Sequence, residues 1–159
     1  MVAVLFVCTG NICRSPTAEA VFRDALKKRG LTGRFTHDSA GVDSYHVGQA
    51  PDRRSQATAR AKGVEMGDLR ARNMRREDFT EFDLILAMDE SHLKALQRMA
   101  PMNGTAAIAL YLPHSGHPLQ EVPDPYYGEQ DGFDAVYRMI EEATEGLLNH
   151  LTGVAPRPV

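Results

Sequence analysis

Short apolar runs and longer segments of helical periodicity alternate along the chain. The short runs predict β-strands near residues 2–7, 35–40, 83–88 and 106–111. The longer segments predict helices near residues 16–29, 52–62, 89–99 and 131–150. Strands and helices that alternate in this way form parallel β-α-β units, so we predict an α/β fold with a doubly wound sheet.

The size and composition fit one domain. The chain has 159 residues, of which 43% are hydrophobic, and this is enough to form a core. We therefore predict a single domain over residues 1–159, in which residues 152–159 form a flexible tail. No apolar stretch reaches the ~18 residues that a membrane-spanning helix needs, and the formal charge of −3 gives no general attraction to nucleic acid. We expect neither a membrane nor a nucleic acid as a partner.

The most distinctive stretch is "VCTGNICRSPTA", residues 7–18, which contains both cysteines of the chain. It follows an apolar run that predicts a buried strand, and it contains Ser15 and Pro16, a pair typical of a helix start. We predict Ser15 as the helix N-cap. The stretch then joins the carboxyl end of a strand to the amino end of a helix, where free backbone N–H groups and the helix dipole attract anions.

The residues of this loop favour a phosphate group as the anion. Five residues separate Cys8 from Arg14, and a loop of that length can curl around a tetrahedral oxyanion. Gly10 and Asn11 tolerate the positive φ angles that such a curl requires. Arg14 can bind two phosphoryl oxygens with its planar guanidinium, and the positive surroundings favour the thiolate form of Cys8. A thiolate beneath a bound phosphate is a nucleophile directed at phosphorus.

Three other interpretations of the two cysteines are weaker. A zinc site needs four ligands, and no second Cys or His pair is spaced to complete one. Buried apolar cysteines are common, but a Gly-Asn-Ile-Cys-Arg setting is a poor core. The Gly-Lys-Ser/Thr of a nucleotide-binding P-loop is missing. We therefore expect no metal and no cofactor.

A second candidate element is "VPDPYYG", residues 122–128. Asp124 lies between Pro123 and Pro125, whose fixed φ angles stiffen the loop. Cleavage of a phosphate ester needs a proton for the leaving oxygen, and a positioned carboxylic acid can supply it. In isolation such an Asp is most often a turn residue. In a chain that also carries the Cys8–Arg14 loop, it becomes a candidate general acid.

Four stretches together resemble the low-molecular-weight protein tyrosine phosphatases in order and spacing: "VCTGNICRSPTAEAVF", "DSAGVDSYHVG", "FDLILAMDESH" and "VPDPYYG". The resemblance extends from residue 2 to about residue 150. It implies a single domain with a four-stranded parallel sheet and helices on both faces. It also implies hydrolysis of aryl phosphate monoesters through a phosphocysteine, without a metal. The implied substrate is a phosphotyrosine-containing protein or peptide, and the implied product is inorganic phosphate.

The resemblance also implies roles for individual residues. The catalytic residues would be Cys8, Arg14 and Asp124. The substrate-binding residues would be Thr9, Gly10, Asn11, Ile12, Cys13, Ser15, Tyr45, Tyr126 and Tyr127, with the tyrosines on opposite walls of a cleft.

Further residues would support this site. The Ser15 hydroxyl would donate to the sulfur of Cys8, and Ser39 would hold Asn11 in its strained conformation. Asp89 we interpret as a plain helix N-cap. Ser91 is followed by His92 where the family usually has Asn, and the sequence suggests no chemistry for His92. Residues 70–79 lack a histidine that many members carry, so no role is transferred to that segment.

Several alternatives stay open. Arsenate reductases of this fold need a resolving cysteine pair, and the chain has no cysteine after Cys13. A silent phosphotyrosine-binding module would normally lack the nucleophile or the acid. Protein-arginine phosphatases carry Thr where this chain has Ile12, so we expect phosphotyrosine to be the preferred substrate.

The paired cysteines also bear on regulation and location. We interpret Cys13 as a thiol that traps oxidised Cys8 in a disulfide, and a small packing residue is the alternative. Two close cysteines with a reactive thiolate are typical of a reducing compartment, so we predict a cytoplasmic protein. We expect a monomer or a weak dimer.

Overall fold

The computed structural model describes residues 1–153. Its strands are β1 (Val2–Cys8), β2 (Phe35–Gly41), β3 (Leu84–Ala87) and β4 (Ala107–Leu110). Its helices are α1 (Arg14–Arg29), α2 (Arg53–Ala61), α3 (Asp78–Glu81), α4 (Glu90–Met99), α5 (Tyr111–His114) and α6 (Gln130–Thr152). The four predicted strands and the four long predicted helices are confirmed within a few residues. The four-residue helices α3 and α5 were not predicted, because a single turn is too short to show a helical period.

The four strands form one parallel sheet in the order β2-β1-β3-β4. The central strand β1 is buried on both faces, as its unbroken apolar run predicts. Phe6 points into a core that includes Phe22 of α1 and Leu147 of α6. Leu5 points into a second core that includes Leu96 of α4. Helices therefore cover both faces of the sheet, and the predicted doubly wound α/β fold is confirmed.

The direction in which successive strands are added to the sheet reverses at its centre, between β1 and β3. After β1 the chain passes to β2 on one side and then crosses to β3 on the other. The loops that leave the carboxyl ends of β1 and β3 diverge there, and ligands of open α/β sheets bind in this crevice. The loop before α6 is fixed at the same edge, because Val122 N–H donates to the Met88 carbonyl at 2.9 Å.

Two predictions about the chain as a whole can be compared with residues 1–153. The tail was predicted from about residue 152, where α6 ends at Thr152 and Gly153 caps the helix with a φ of 72°. Residues 154–159 of the predicted tail lie outside the described residues. In the part of the chain that the structure describes, no helix has both the length and the apolarity to cross a membrane.

Candidate active site

The loop between β1 and α1 differs in one respect from the sequence prediction. Helix α1 begins at Arg14, and its N-cap is Cys13, whose side chain makes no capping hydrogen bond. The prediction that Ser15 is the N-cap is therefore wrong. Ser15 lies in the first turn of α1, and its buried hydroxyl is turned toward the end of β1 instead of the helix backbone. Pro16 also lies in the first turn, where its missing N–H costs nothing.

Cys8 is the last residue of β1, and its sulfur contacts that hydroxyl. The Cys8 Sγ and Ser15 Oγ atoms lie 3.0 Å apart, and Cys8 is only 3% exposed. Asn11 Nδ2 donates to Ser15 Oγ at 2.8 Å. The Ala40 carbonyl is at 3.4 Å, so the nearer acceptor for the Ser15 hydrogen is the sulfur of Cys8. The expected donation from Ser15 to a thiolate is thus geometrically available.

Asn11 shapes the curve of the loop. Its φ of 58° is the one positive value for a residue other than glycine between residues 1 and 153. Asn11 Oδ1 accepts from the backbone N–H of Arg72 at 3.0 Å. The prediction that Ser39 holds Asn11 is wrong, because the Ser39 hydroxyl donates to Glu19 Oε1 at 3.0 Å. Segment 70–79 therefore supports the loop through a backbone N–H group. The side chains of this segment could not predict such a contact.

Gly10 serves the loop through its lack of a side chain. Its φ is not positive, so the conformational reason predicted for it is wrong. A Cβ atom at Gly10 would lie 2.7 Å from Cδ2 of His46, closer than van der Waals contact permits. The absence of a side chain at residue 10 lets the His46 ring close over the loop.

Arg14 is 3% exposed and is held firmly from behind. Its Nη1 donates to Asp89 Oδ2 at 2.8 Å and to the Val122 carbonyl at 2.9 Å. Its Nη2 donates to Thr9 Oγ1 at 3.3 Å and lies 3.7 Å from Asp124 Oδ2. Because both hydrogens on Nη1 are used, the donors left for an anion are on Nε and Nη2.

Asp89 does more than the predicted capping. Its side chain accepts from the His92 backbone N–H as the N-cap of α4, and it also pairs with Arg14 at 2.8 Å. Burial alone would raise the pKa of Asp89, but hydrogen bonds from Ser91 and Arg14 outweigh burial and lower the pKa below its usual value. Asp89 therefore stays ionised and orients the guanidinium.

His92 contacts the loop residue Thr9 from α4, and the sequence suggested no chemistry for it. It is 1% exposed, and its Nε2 lies 2.7 Å from Thr9 Oγ1. Burial lowers the pKa of His92 to about 4, and the nearby Arg14 charge acts in the same direction. The ring is therefore neutral at physiological pH. The one sequence feature that could have drawn attention to His92 is that it follows Ser91, where the family usually has Asn.

A cleft of about 220 Å³ brings together the three predicted catalytic residues and seven of the nine predicted substrate-binding residues. Its lining consists of Cys8, Thr9, Gly10, Ile12, Cys13, Arg14, Asp43, Tyr45, His46, Asp124, Tyr126 and Tyr127. Asn11, Ser15, Ser39 and Asp89 lie outside this lining. Asp43 and His46 line the cleft without having been predicted. Residues from the first loop and from the loop before α6 thus meet at one place.

The comparisons with known proteins identify this arrangement. Residues 3–155 match the family described as "Low molecular weight phosphotyrosine protein phosphatase". The chain belongs to this family. It is 41% identical over 149 residues to the Bacillus subtilis low molecular weight protein-tyrosine-phosphatase YfkJ, which covers 93% of this chain and 94% of YfkJ.

Solved structures agree with this family. The protein tyrosine phosphatase of Entamoeba histolytica is similar at a TM-score of 0.90 and 37% identity, over 96% of this chain and 98% of that one. The Drosophila arginine phosphatase is similar at a TM-score of 0.87 and 37% identity, over 93% and 96%. The resemblance inferred from four motifs is confirmed.

In this member of the low molecular weight phosphatase family, the loop that carries Asp124 is braced by Arg54 of α2. Arg54 donates to the Tyr126 carbonyl at 2.9 Å and pairs with Asp52 at 3.0 Å. Its guanidinium carbon also lies 4.4 Å from the centre of the Phe133 ring. Tyr126 N–H in turn donates to Asp124 Oδ1 at 3.0 Å. No local pattern in the sequence predicted this brace.

The three tyrosines of the cleft differ in exposure. Tyr45 is 83% exposed and Tyr127 is 94% exposed, whereas Tyr126 is partly buried. The rings of Tyr126 and Tyr127 meet edge to face, with centroids 5.0 Å apart. Tyr126 forms a firm part of the wall, and the other two rings stand at the rim.

Beneath the wall, Ile12 and Cys13 join a small apolar cluster with Ala71 and Phe133, and Tyr126 packs against it. Burial raises the pKa of Cys13 to about 12, and the nearby Asp52 carboxylate raises it further. Cys13 is therefore a neutral thiol at physiological pH, and both cysteines are free.

Candidate metal ligands do not gather in the described part of the chain. Between residues 1 and 153, no three or more His, Cys, Asp or Glu side chains are arranged to hold a metal ion.

Proposed function

We propose that this chain is a protein tyrosine phosphatase that hydrolyses aryl phosphate monoesters through a phosphocysteine on Cys8. The observation that carries the proposal is the meeting of Cys8, Arg14 and Asp124 in one cleft, although Asp124 is far from the other two in sequence. Membership of the phosphatase family supports the same activity.

Substrate binding begins with the phosphoryl group. Its oxygens accept hydrogen bonds from the loop N–H groups at the amino end of α1 and from the free donors of Arg14. Asp89 and the Val122 carbonyl already occupy Nη1 of Arg14, so the guanidinium is oriented before the substrate arrives.

In the first chemical step, the Cys8 thiolate attacks phosphorus. The S–P bond forms while the bond from phosphorus to the phenolic oxygen breaks. Protonated Asp124 transfers its proton to that oxygen, so the product leaves as a neutral phenol. The brace from Arg54 to the Tyr126 carbonyl supports the position of Asp124.

In the second step, water attacks the phosphocysteine. Asp124, now a carboxylate, accepts a proton from the water, and inorganic phosphate is released as the S–P bond breaks. The departing Cys8 thiolate is stabilised by the Ser15 hydroxyl at 3.0 Å. The enzyme then returns to its starting state.

The shape of the cleft supports phosphotyrosine as the substrate class. Cys8 is almost fully buried at the base, so a phosphoserine side chain is too short to bring its phosphate to the sulfur. A phenyl ring can lie against Tyr126 with Tyr45 and Tyr127 at the rim.

A protein-arginine phosphatase is the second candidate, because the Drosophila arginine phosphatase shares the fold closely. Ile12 argues against it, since this apolar side chain leaves the N–H donors of a guanidinium without a partner. An arsenate reductase is less well supported, because the chain lacks a cysteine pair beyond Cys13.

One assay with EDTA present distinguishes the three candidate functions. The purified protein is given a phosphotyrosine peptide, a phosphoarginine protein, and arsenate with a thiol reductant. We expect rapid phosphate release from the peptide, slower release from phosphoarginine and no sustained arsenate reduction. Preference for phosphoarginine or for arsenate would reject the tyrosine phosphatase assignment.

We further propose that the protein acts as one domain, as a monomer or weak dimer, in the cytoplasm. The reducing cytoplasm would keep the Cys8 thiolate active. Sedimentation of the purified protein across a concentration series tests the oligomeric state. A stable dimer at nanomolar concentration would contradict it.

A further inference from the structure

Two polar side chains beside the cleft are in contact, and the catalytic steps above do not use this contact. Thr9 follows β1, and His92 lies in the first turn of α4. Their Oγ1 and Nε2 atoms lie 2.7 Å apart. His92 is almost fully buried, whereas Thr9 lines the cleft beside Cys8 and Arg14.

The backbone determines which nitrogen of His92 carries the proton. The N–H of Asp89 donates to His92 Nδ1 at 3.2 Å as part of the capping box of α4. A nitrogen that accepts a hydrogen bond has no hydrogen of its own, so this donation favours a neutral ring protonated on Nε2. Two contacts favour the other tautomer: Asp89 Oδ1 also lies 3.2 Å from Nδ1, and Arg14 Nη2 lies 3.5 Å from Nε2. We adopt the Nε2 tautomer because the Asp89 N–H points at Nδ1. Nε2–H then donates to Thr9 Oγ1.

Thr9 Oγ1 accepts a second hydrogen bond. Nη2 of Arg14 lies 3.3 Å from the same oxygen and donates to it. A hydroxyl oxygen has two lone pairs, and the donors from His92 and Arg14 occupy both. The Thr9 hydroxyl hydrogen must therefore point elsewhere, and the open direction is the cleft that Thr9 lines.

We propose that the Thr9 hydroxyl donates a hydrogen bond to a phosphoryl oxygen of the substrate, and that His92 is the positioning residue that turns it there. This rests on the phosphatase function proposed above. A hydroxyl that already accepts two hydrogen bonds is a better donor, and a donor to an anionic oxygen is stronger than a neutral pair. The side chain of Thr9 thus adds to the backbone donors of the loop.

The first test measures the affinity for inorganic phosphate by calorimetry. Thr9→Val keeps the shape but removes the hydroxyl, and we expect about tenfold weaker phosphate binding. Thr9→Ser keeps the hydroxyl and should bind within about twofold of the parent. Thr36→Val, at an exposed site on β2, is the matched control and should bind like the parent. Phosphate binding by Thr9→Val equal to that of the parent would overturn the proposal.

The second test asks whether His92 acts by orienting the Thr9 hydroxyl, by combining a His92 variant with Thr9→Val. His92→Asn keeps a side-chain atom near the Nδ1 position for the Asp89 N–H but cannot reach Thr9. We expect weaker phosphate binding in His92→Asn alone and no further loss when it is added to Thr9→Val, because both changes remove the same interaction. Additive losses would overturn the positioning role of His92.

The tautomer can be observed directly by ¹⁵N NMR of the histidine ring. We expect Nε2 of His92 to be protonated and Nδ1 to be unprotonated. The opposite tautomer would overturn the proposal, because the Thr9 hydrogen would then be donated to Nε2. Neither phosphate binding nor the tautomer depends on turnover. A parent protein that binds phosphate but does not hydrolyse phosphotyrosine would therefore reject the proposed function without deciding this inference.

Discussion

The Sγ atom of Cys8 and the Oγ atom of Ser15 lie 3.0 Å apart at the junction of β1 and α1. This contact joins the end of a buried strand to the first turn of a helix, the two elements whose ends form the anion site. Asn11 donates to the same hydroxyl, so the positive-φ residue of the loop and the sulfur share one partner. The shape of the loop and the environment of the nucleophile are therefore set together.

The first prediction concerns Arg14. We expect Arg14→Lys to lower kcat/KM by about a hundredfold or more. The donors of an ammonium group radiate from one nitrogen, so they cannot reproduce the planar fork that pairs with Asp89 on one side and with two phosphoryl oxygens on the other. Steady-state hydrolysis of a phosphotyrosine peptide measures the loss. Arg23→Lys is the matched control, since Arg23 pairs with exposed Asp68, and it should change kcat/KM by less than about twofold. Near-parent activity in Arg14→Lys would contradict the role of the guanidinium fork.

The second prediction concerns Asp124. Asp124→Asn cannot supply a proton, so we expect it to slow aryl phosphates with basic leaving groups most, and activated ones such as nitrophenyl phosphate less. A series of substituted phenyl phosphates gives the dependence of rate on leaving-group pKa. Asp131→Asn, at an exposed position in the first turn of α6, is the control and should leave that dependence unchanged. An equal loss across the series in Asp124→Asn would count against a general acid.

The third prediction concerns Cys13. Peroxide oxidises the Cys8 thiolate to a sulfenic acid, and attack by the Cys13 thiol releases water and forms the Cys8–Cys13 disulfide. Because the pKa of Cys13 is about 12, we expect the disulfide to form faster as the pH rises from about 7 to 9 and the Cys13 thiolate fraction grows. Two quantities are measured: the rate of disulfide formation across this pH range, and the activity that an added thiol restores after peroxide treatment. If Cys13→Ser recovers as fully as the parent, Cys13 is a packing residue.

The fourth prediction concerns Ile12. Ile12→Thr adds a hydroxyl in the apolar cluster beside the cleft, and a hydroxyl there can bond to a guanidinium N–H. We expect the ratio of phosphoarginine to phosphotyrosine hydrolysis to rise by about tenfold, the effect of one unpaired donor. Ile12→Val keeps an apolar β-branched side chain and should leave the ratio near that of the parent. An unchanged ratio in Ile12→Thr would show that Ile12 does not determine the preference between phosphotyrosine and phosphoarginine.

The sequence predicted the parts of the site that depend on residue type and on periodicity. The apolar run of β1, the spacing of Cys8 from Arg14, and the prolines around Asp124 each have a local physical meaning. Parallel strands bring their carboxyl ends to one edge, so the fold and the placement of the Cys8–Arg14 loop followed from the pattern. The meeting of Asp124 with that loop was expected from the family resemblance, because Asp124 lies in the loop before α6 and not at a strand end.

What the sequence did not predict depends on contacts between distant residues. Asn11 is held by the backbone N–H of Arg72, and any residue except proline at position 72 would provide that donor. Ser15 resembles an N-cap locally, but tertiary contacts with Cys8 and Asn11 draw its hydroxyl away from the helix. His92 and Arg54 act through partners 83 and 72 residues away, and no local pattern links such positions.

The central claim is that the Cys8 sulfur forms the bond to phosphorus, and the most direct measurement is nitrophenyl phosphate turnover by Cys8→Ser with EDTA present. We predict a loss of at least about a thousandfold, since a serine hydroxyl is a far weaker nucleophile than a thiolate. Inorganic phosphate should still bind to Cys8→Ser, because Arg14 and the loop backbone remain, and Cys13→Ser should keep activity within about tenfold of the parent. Turnover by Cys8→Ser approaching that of the parent would contradict the phosphocysteine mechanism.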